Sequence, residues 1–101
     1  MSQVVVIAKI PAAPGQRDQL AAAMRMGLDA AENESGTRMY ILHEDSADAD
    51  VLWMYEMYDN QDALLEHSGS ESFKALGPVI KPFLGGRPQL TFAKPIGGKG
   101  L

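Results

Sequence analysis

The run Val51 to Tyr58 (VLWMYEMY) constrains the fold more than any other segment of this 101-residue chain. Its β-branched and aromatic residues make it a strand, and a strand sends alternate side chains to opposite faces. Leu52, Met54, Glu56 and Tyr58 share one face, while Val51, Trp53, Tyr55 and Met57 share the other. Both faces are therefore largely apolar, and the sheet containing this strand has to be covered on both sides. The first β-prone run repeats the pattern, with Val4, Val6 and Ala8 against Val5 and Ile7.

Other segments supply one cover. Gln3 to Ile10 reads as a strand ended by Pro11, and Pro11 to Gly15 as a turn. Leu20, Met24, Leu28 and Ala31 recur at helical spacing between Gln16 and about Asn33, and Ser35 and Gly36 stop that helix. Thr37 to Glu44 pairs with Val51 to Tyr58 as a hairpin across the polar stretch Asp45 to Asp50. Asp59 and Asn60 offer an N-cap to a helix reaching about His67, Gly69 ends it, and Ser70 can cap the next. In that last helix Phe73, Leu76, Ile80 and Phe83 form one stripe, which Gly77 and Pro78 should kink or split. Pro88 to Ile96 is the final strand, and 97–101 reads as a flexible tail.

The order β-α-β-β-α-β, with its second helix broken, predicts an α+β fold of ferredoxin-like topology. It is an antiparallel sheet with helices on one face, formed by residues 1–101 as one domain. The helices cover one side, so the apolar second side predicts a homodimer packed sheet to sheet. Apolar residues make up 46% of the chain and charged residues 22%, a balance that suits burial by self-association in so small a domain.

A net charge of −4, with nine scattered basic residues, argues against nucleic acid or an anionic membrane as partner. The absence of cysteine removes disulfide, thiolate and Cys-metal chemistry. Met1 to Ile10 has no basic n-region and too short an apolar run for a signal peptide or membrane span, so a cytoplasmic location is expected. Asp45, Asp48, Asp50 and Asp59 lack metal-ligand spacing and read as turn and cap residues.

Two ionisable residues stand out on apolar faces. Glu56 is the one charge in its strand, and a buried carboxylate needs a partner; it either orients His67 or forms an ion pair with Arg38 or Lys9 inside the dimer interface. His67 follows Ala63 by one turn and shares its face. An imidazole can accept a proton near neutrality, but a histidine here equally fits as a core residue or as one that stabilises the helix dipole. His43 lies beside Glu44 and Asp45, where a solvated role is expected.

Pro14-Gly15 opens the first helix, and Gly36 is followed by Tyr40, Leu42 and His43. Tyr55-Glu56 and Tyr58 come next, then Ala63-Leu64, His67, Ser70, Phe73 and Lys74. In this order and spacing, over about residues 4 to 95, the chain resembles the antibiotic biosynthesis monooxygenase domains, dimeric α/β barrels that include quinol-monooxygenase-like proteins. The resemblance implies oxygenation of a phenolic, anthrone or quinol-like molecule by dioxygen without metal, flavin or haem. It makes His67 and Glu56 the catalytic candidates, and Tyr40, Met54, Tyr58, Phe73 and Phe83 candidates for binding a small aromatic substrate, although packing alone also accounts for the aromatic residues. The six methionines suit an adaptable pocket. Related barrels degrade haem, but the positions they use fall here on Ala8, His67 and Gly77, and none matches, so no cofactor is expected. The competing reading is a non-catalytic dimeric module that binds a small ligand or serves a stress response.

Overall fold

The computed structural model describes residues 2–101, and Met1, which the sequence reading includes in the domain and in the chain start, lies outside them. The elements run β1 (Val4–Pro11), α1 (Arg17–Ala23), α2 (Arg25–Ala31), β2 (Thr37–Glu44), β3 (Val51–Tyr58), α3 (Gln61–Ser68), α4 (Glu71–Ile80), a single 3-10 turn (Lys81–Phe83) and β4 (Gln89–Ala93). The four strands form one antiparallel sheet in the order β2-β3-β1-β4. This is the ferredoxin-like α+β fold expected from the order of the elements.

Side-chain parity then decides which face the helices cover. Val4, Val6, Ala8 and Ile10 of β1 and Leu52, Met54, Glu56 and Tyr58 of β3 are all buried on the helix side. At one end Ala8, Ile10, Leu52 and Met54 pack with Leu20 and Met24 of the first helical segment. At the other, Val4, Val6 and Tyr58 pack with Leu64 of α3. Among the described residues Glu56 and His67 are the buried polar ones, and both lie toward this second end. The opposite face carries Ile7, Ile41, Tyr55 and Met57, and Ile41 is 47% exposed.

Local chemistry accounts for the boundaries. Gly15, at a φ of 74° that favours glycine, turns the chain into α1, and its N–H donates to Asp50 Oδ1 at 3.0 Å. Asn60 caps α3 by accepting from Ala63 N–H at 2.8 Å, and Ser70 caps α4 by accepting from Phe73 N–H at 3.1 Å.

The final strand stops at Ala93, short of the expected Ile96, and two helices also differ from the sequence reading. The first helix is broken at Met24, where ψ is −9° and the Gly27 N–H reaches back only three residues, to the Met24 carbonyl at 3.0 Å; a glycine there lowers the helix propensity that would hold an α turn. The last helix, in contrast, runs through Gly77 and Pro78 to Ile80. Pro78 is exposed, so water can satisfy the carbonyl its missing N–H leaves free, and the interruption comes instead at the 3-10 turn containing Pro82. Among the described residues no helix is long and apolar enough to cross a membrane.

Candidate functional site

The sheet register assembles the site. Tyr40 on β2 pairs with Glu56 on β3, Glu56 with Val6 on β1, and Val6 with Phe92 on β4, which makes one row across all four strands on the helix side. Over this row stand α3 and the start of α4. Between them lies a largely apolar cavity of about 330 Å³, walled by Glu56, His67, Phe73, Leu64, Leu90 and Phe92. Leu90 and Phe92 are 54% and 64% exposed because no helix extends over the edge strand β4, and that shortfall is what opens the cavity.

His67 is 7% exposed and surrounded by aromatic rings: Tyr40, Tyr58 and Phe73 lie at centroid distances of 5.1, 5.3 and 5.3 Å. Its Nδ1 is 2.8 Å from Glu34 Oε1. Its Nε2 is buried with no hydrogen-bond partner in the protein. Nearly all buried polar atoms in folded proteins are paired, so this nitrogen, in a ring that lines the cavity, is a candidate contact for a ligand.

The carboxylate hydrogen-bonded to His67 is thus Glu34, whereas Glu56, expected to orient the ring, makes no hydrogen bond to it and meets it only as a nearby charge. Glu34 and His67 reach each other because Gly36 brings the end of α2 against α3: a Cβ at Gly36 would stand 2.7 Å from the Ala63 Cβ. Glu34 Oε1 also accepts from Thr37 Oγ1 at 2.7 Å. Glu56 has a different partner, the Tyr58 hydroxyl, which donates to its Oε1 at 2.5 Å. The alternative partners of Glu56 are engaged elsewhere, Arg38 with Asp59 and Lys9 over the Trp53 ring.

Burial pushes the Glu56 carboxyl above its ordinary value, a rise opposed by the Tyr58 hydrogen bond and by nearby His67 and reinforced by Glu34. Burial, and then the charge of Glu56, also push both Tyr40 and Tyr58 up, so both stay protonated phenols. The apolar volume is therefore walled by His67, with one imidazole nitrogen that has no partner, and by Glu56, whose carboxyl is biased toward its neutral form, while the phenols of Tyr40 and Tyr58 back these two residues without lining it.

Of the remaining candidates, Phe73 lines the cavity, Tyr58 supports Glu56 from below at 0% exposure, and Tyr40 stacks on His67 away from the main cavity. Met54 and Phe83 do not reach it. Met54 is 1% exposed in the core with Leu20 and Met24, and Phe83 packs on that same cluster. Glu34, Leu90 and Phe92 are additions that the sequence reading does not contain. Asp45, whose carboxyl is held down to about 2 by the Asp48 N–H, the Trp53 indole and the Ala47 N–H, organises the β2–β3 turn. His43 is exposed. Among the described residues no three His, Asp or Glu side chains converge as a metal site requires.

A search of the curated proteins finds no match. Solved structures do match along nearly the whole chain. Rv0793 of Mycobacterium tuberculosis is 30% identical, with a TM-score of 0.87 over 98% of this chain and 100% of that one. PA3566 of Pseudomonas aeruginosa is 25% identical, with a TM-score of 0.86 over 96% and 97%. A Chloroflexus aurantiacus protein named for the antibiotic biosynthesis monooxygenases is 27% identical, with a TM-score of 0.83 over 98% of each chain. The family model for antibiotic biosynthesis monooxygenase matches residues 3–77, a span that holds β1, the hairpin, Glu34, Glu56 and His67. By that match, and by a fold shared end to end with these structures, the chain belongs to the antibiotic biosynthesis monooxygenase family.

Proposed function

We propose that the protein is a cofactor-independent monooxygenase acting on a phenolic, anthrone or quinol-like molecule, with His67 as general base. The observation that carries this reading is the buried Nε2 atom of His67, which has no partner and belongs to a ring lining an apolar cavity large enough for a small aromatic molecule. A substrate hydroxyl donates its proton to Nε2, and the resulting anion is electron-rich enough to reduce dioxygen. The apolar walls keep water from competing. For an anthrone-like methylene the balance is CH₂ + O₂ → C=O + H₂O, so the substrate is its own reductant. Glu56, biased toward its neutral form, is placed to donate a hydrogen bond to oxygen carrying developing charge.

Access to Nε2 requires one neighbouring ring to move. Tyr58 is fully buried, whereas Phe73 is 44% exposed and can swing outward without opening the core. On the far face of the sheet Ile7 and Tyr55 are half-buried and Ile41 is exposed, an apolar surface that supports pairing of two copies.

The test is oxygen consumption with a panel of hydroquinones and anthrones, on the wild type and on His67→Ala. The expected result is turnover that His67→Ala slows by roughly 10²- to 10⁴-fold, the usual worth of a positioned base. A folded His67→Ala protein working at the wild-type rate removes the base assignment. A wild type that binds members of the panel and consumes no oxygen with any of them leaves a ligand-binding module as the function.

A further inference from the structure

His67 stands between two unlike spaces. On one side is the apolar cavity already described. On the other is a smaller one of about 90 Å³, lined by Glu34, Gly36, Thr37, Ala63, Glu66 and Ser70 together with His67 itself. The ring nitrogens are treated differently. Nδ1 meets Glu34 Oε1 at 2.8 Å, and Nε2 meets nothing. A carboxylate only accepts hydrogen bonds, so the Nδ1 contact requires a proton on Nδ1. In the neutral ring that leaves Nε2 as the bare acceptor.

We propose that Glu34, held by Thr37, is a positioning residue that fixes His67 in the Nδ1–H tautomer and leaves the Nε2 lone pair free to take a proton from the ligand. This rests on the reading of His67 as the base. The same oxygen of Glu34 accepts from the Thr37 hydroxyl at 2.7 Å, so the carboxylate is fixed from the strand side before it meets the ring. Glu34 is 22% exposed beside the smaller cavity, while Glu56 on the other side of the site is buried. When Nε2 takes a proton the imidazolium already has its counter-charge on Nδ1, with no rearrangement required. The other polar groups around the ring, Tyr40, Tyr58 and Glu56, make no hydrogen bond to either ring nitrogen, so Glu34 alone sets the tautomer.

The chain has two histidines, His43 and His67, so ring ¹⁵N spectra contain two spin systems, and His43→Gln assigns them. Long-range ¹H–¹⁵N correlation at pH 8 on the wild type is expected to show Nδ1 of His67 protonated and Nε2 unprotonated. Glu34→Gln is expected to raise the Nε2–H tautomer at least 10-fold, because a glutamine amide can donate to Nδ1 as well as accept, and Thr37→Val to act in the same direction to a smaller extent. With an oxidised substrate in hand, Glu34→Gln is expected to lower kcat by at least about 10-fold with KM little changed. A wild-type ring protonated on Nε2, or a tautomer balance untouched by Glu34→Gln in a folded protein, overturns the proposal. Its failure is separate from failure of the oxygenase reading: the tautomer is measured without substrate, whereas the base assignment falls only if His67→Ala retains full activity.

Discussion

Replacing His67 by phenylalanine separates a histidine kept for chemistry from one kept for packing. The substitution removes two polar atoms whose effects on stability oppose each other. Nε2 is buried without a partner, which costs the fold about 1–3 kcal/mol, so deleting it is favourable. Nδ1 bonds to Glu34, and a hydrogen bond to a charged group contributes about 1.5–3 kcal/mol, so deleting that is unfavourable. Glu34 retains Thr37 and partial exposure, so it is not stranded. A phenyl ring keeps the aromatic contacts with Tyr40, Tyr58 and Phe73, and the adjoining cavity holds the cost of the larger ring near the low end of overpacking, about 1 kcal/mol. Together the terms centre on a loss of about 1 kcal/mol and reach at most about 3 kcal/mol. Urea unfolding at matched protein concentration should then move the midpoint by no more than about 1–2 M, since m is roughly 1–3 kcal/mol/M for domains of this size. Oxygen consumption should fall by about 10²- to 10⁴-fold in the same protein. A loss of more than about 3 kcal/mol, the cost typical of breaking a buried pair, would refute the reasoning and make His67 a structural residue.

Glu56→Gln should change how stability depends on pH. The folded carboxyl titrates above its ordinary value of 4.5 because it is buried, so between that value and the folded one the native state holds the proton more tightly, and wild-type stability declines as pH rises through this window. Glutamine keeps an acceptor for the Tyr58 hydroxyl and has no such decline, so its advantage over wild type should grow as pH rises above 4.5 in thermal melts and level off above the folded value; parallel curves would show that Glu56 is not desolvated. The wild type should scatter light as a dimer at micromolar concentration, and Tyr55→Glu, which places a charge on the half-buried far face of the sheet, should shift it toward monomer. A stable wild-type monomer there would remove the sheet-to-sheet pairing.

Much of this fold is legible in single residues. The parity of Val51 to Tyr58 predicts which side chains share a face, and Asn60 and Ser70 announce α3 and α4 by side-chain chemistry that acts over three residues. Glu56 and His67 are visible because each is a polar residue where the periodicity asks for an apolar one, and both prove to be buried. What is hidden depends on how elements meet. The Glu34 to His67 bond spans 33 residues and exists because Gly36 admits Ala63 at close range, a property of helix placement and not of any local pattern. Met54 and Phe83 look like pocket residues by type, but the helices sit tightly over their end of the sheet and leave the opening above Leu90 and Phe92. Strand parity puts those two on the right face, but it cannot say where a helix stops short.

The way β4 enters the cavity has a consequence for how such a protein can diversify. His67, Glu34 and Glu56 lie within the 3–77 span of the family model, on α3, on the turn after α2 and on a central strand, each tied to buried neighbours. Leu90 and Phe92 lie beyond that span, on a five-residue strand paired along one edge only. Exchanging either for a smaller or more polar side chain alters the size and polarity of the molecule admitted, yet it disturbs no packed helix and no member of the proton-handling group. Under the proposed function, part of the wall that selects the molecule thus lies on a different stretch of the chain from the proton-handling residues, while Leu64 and Phe73 supply the rest from within the family span.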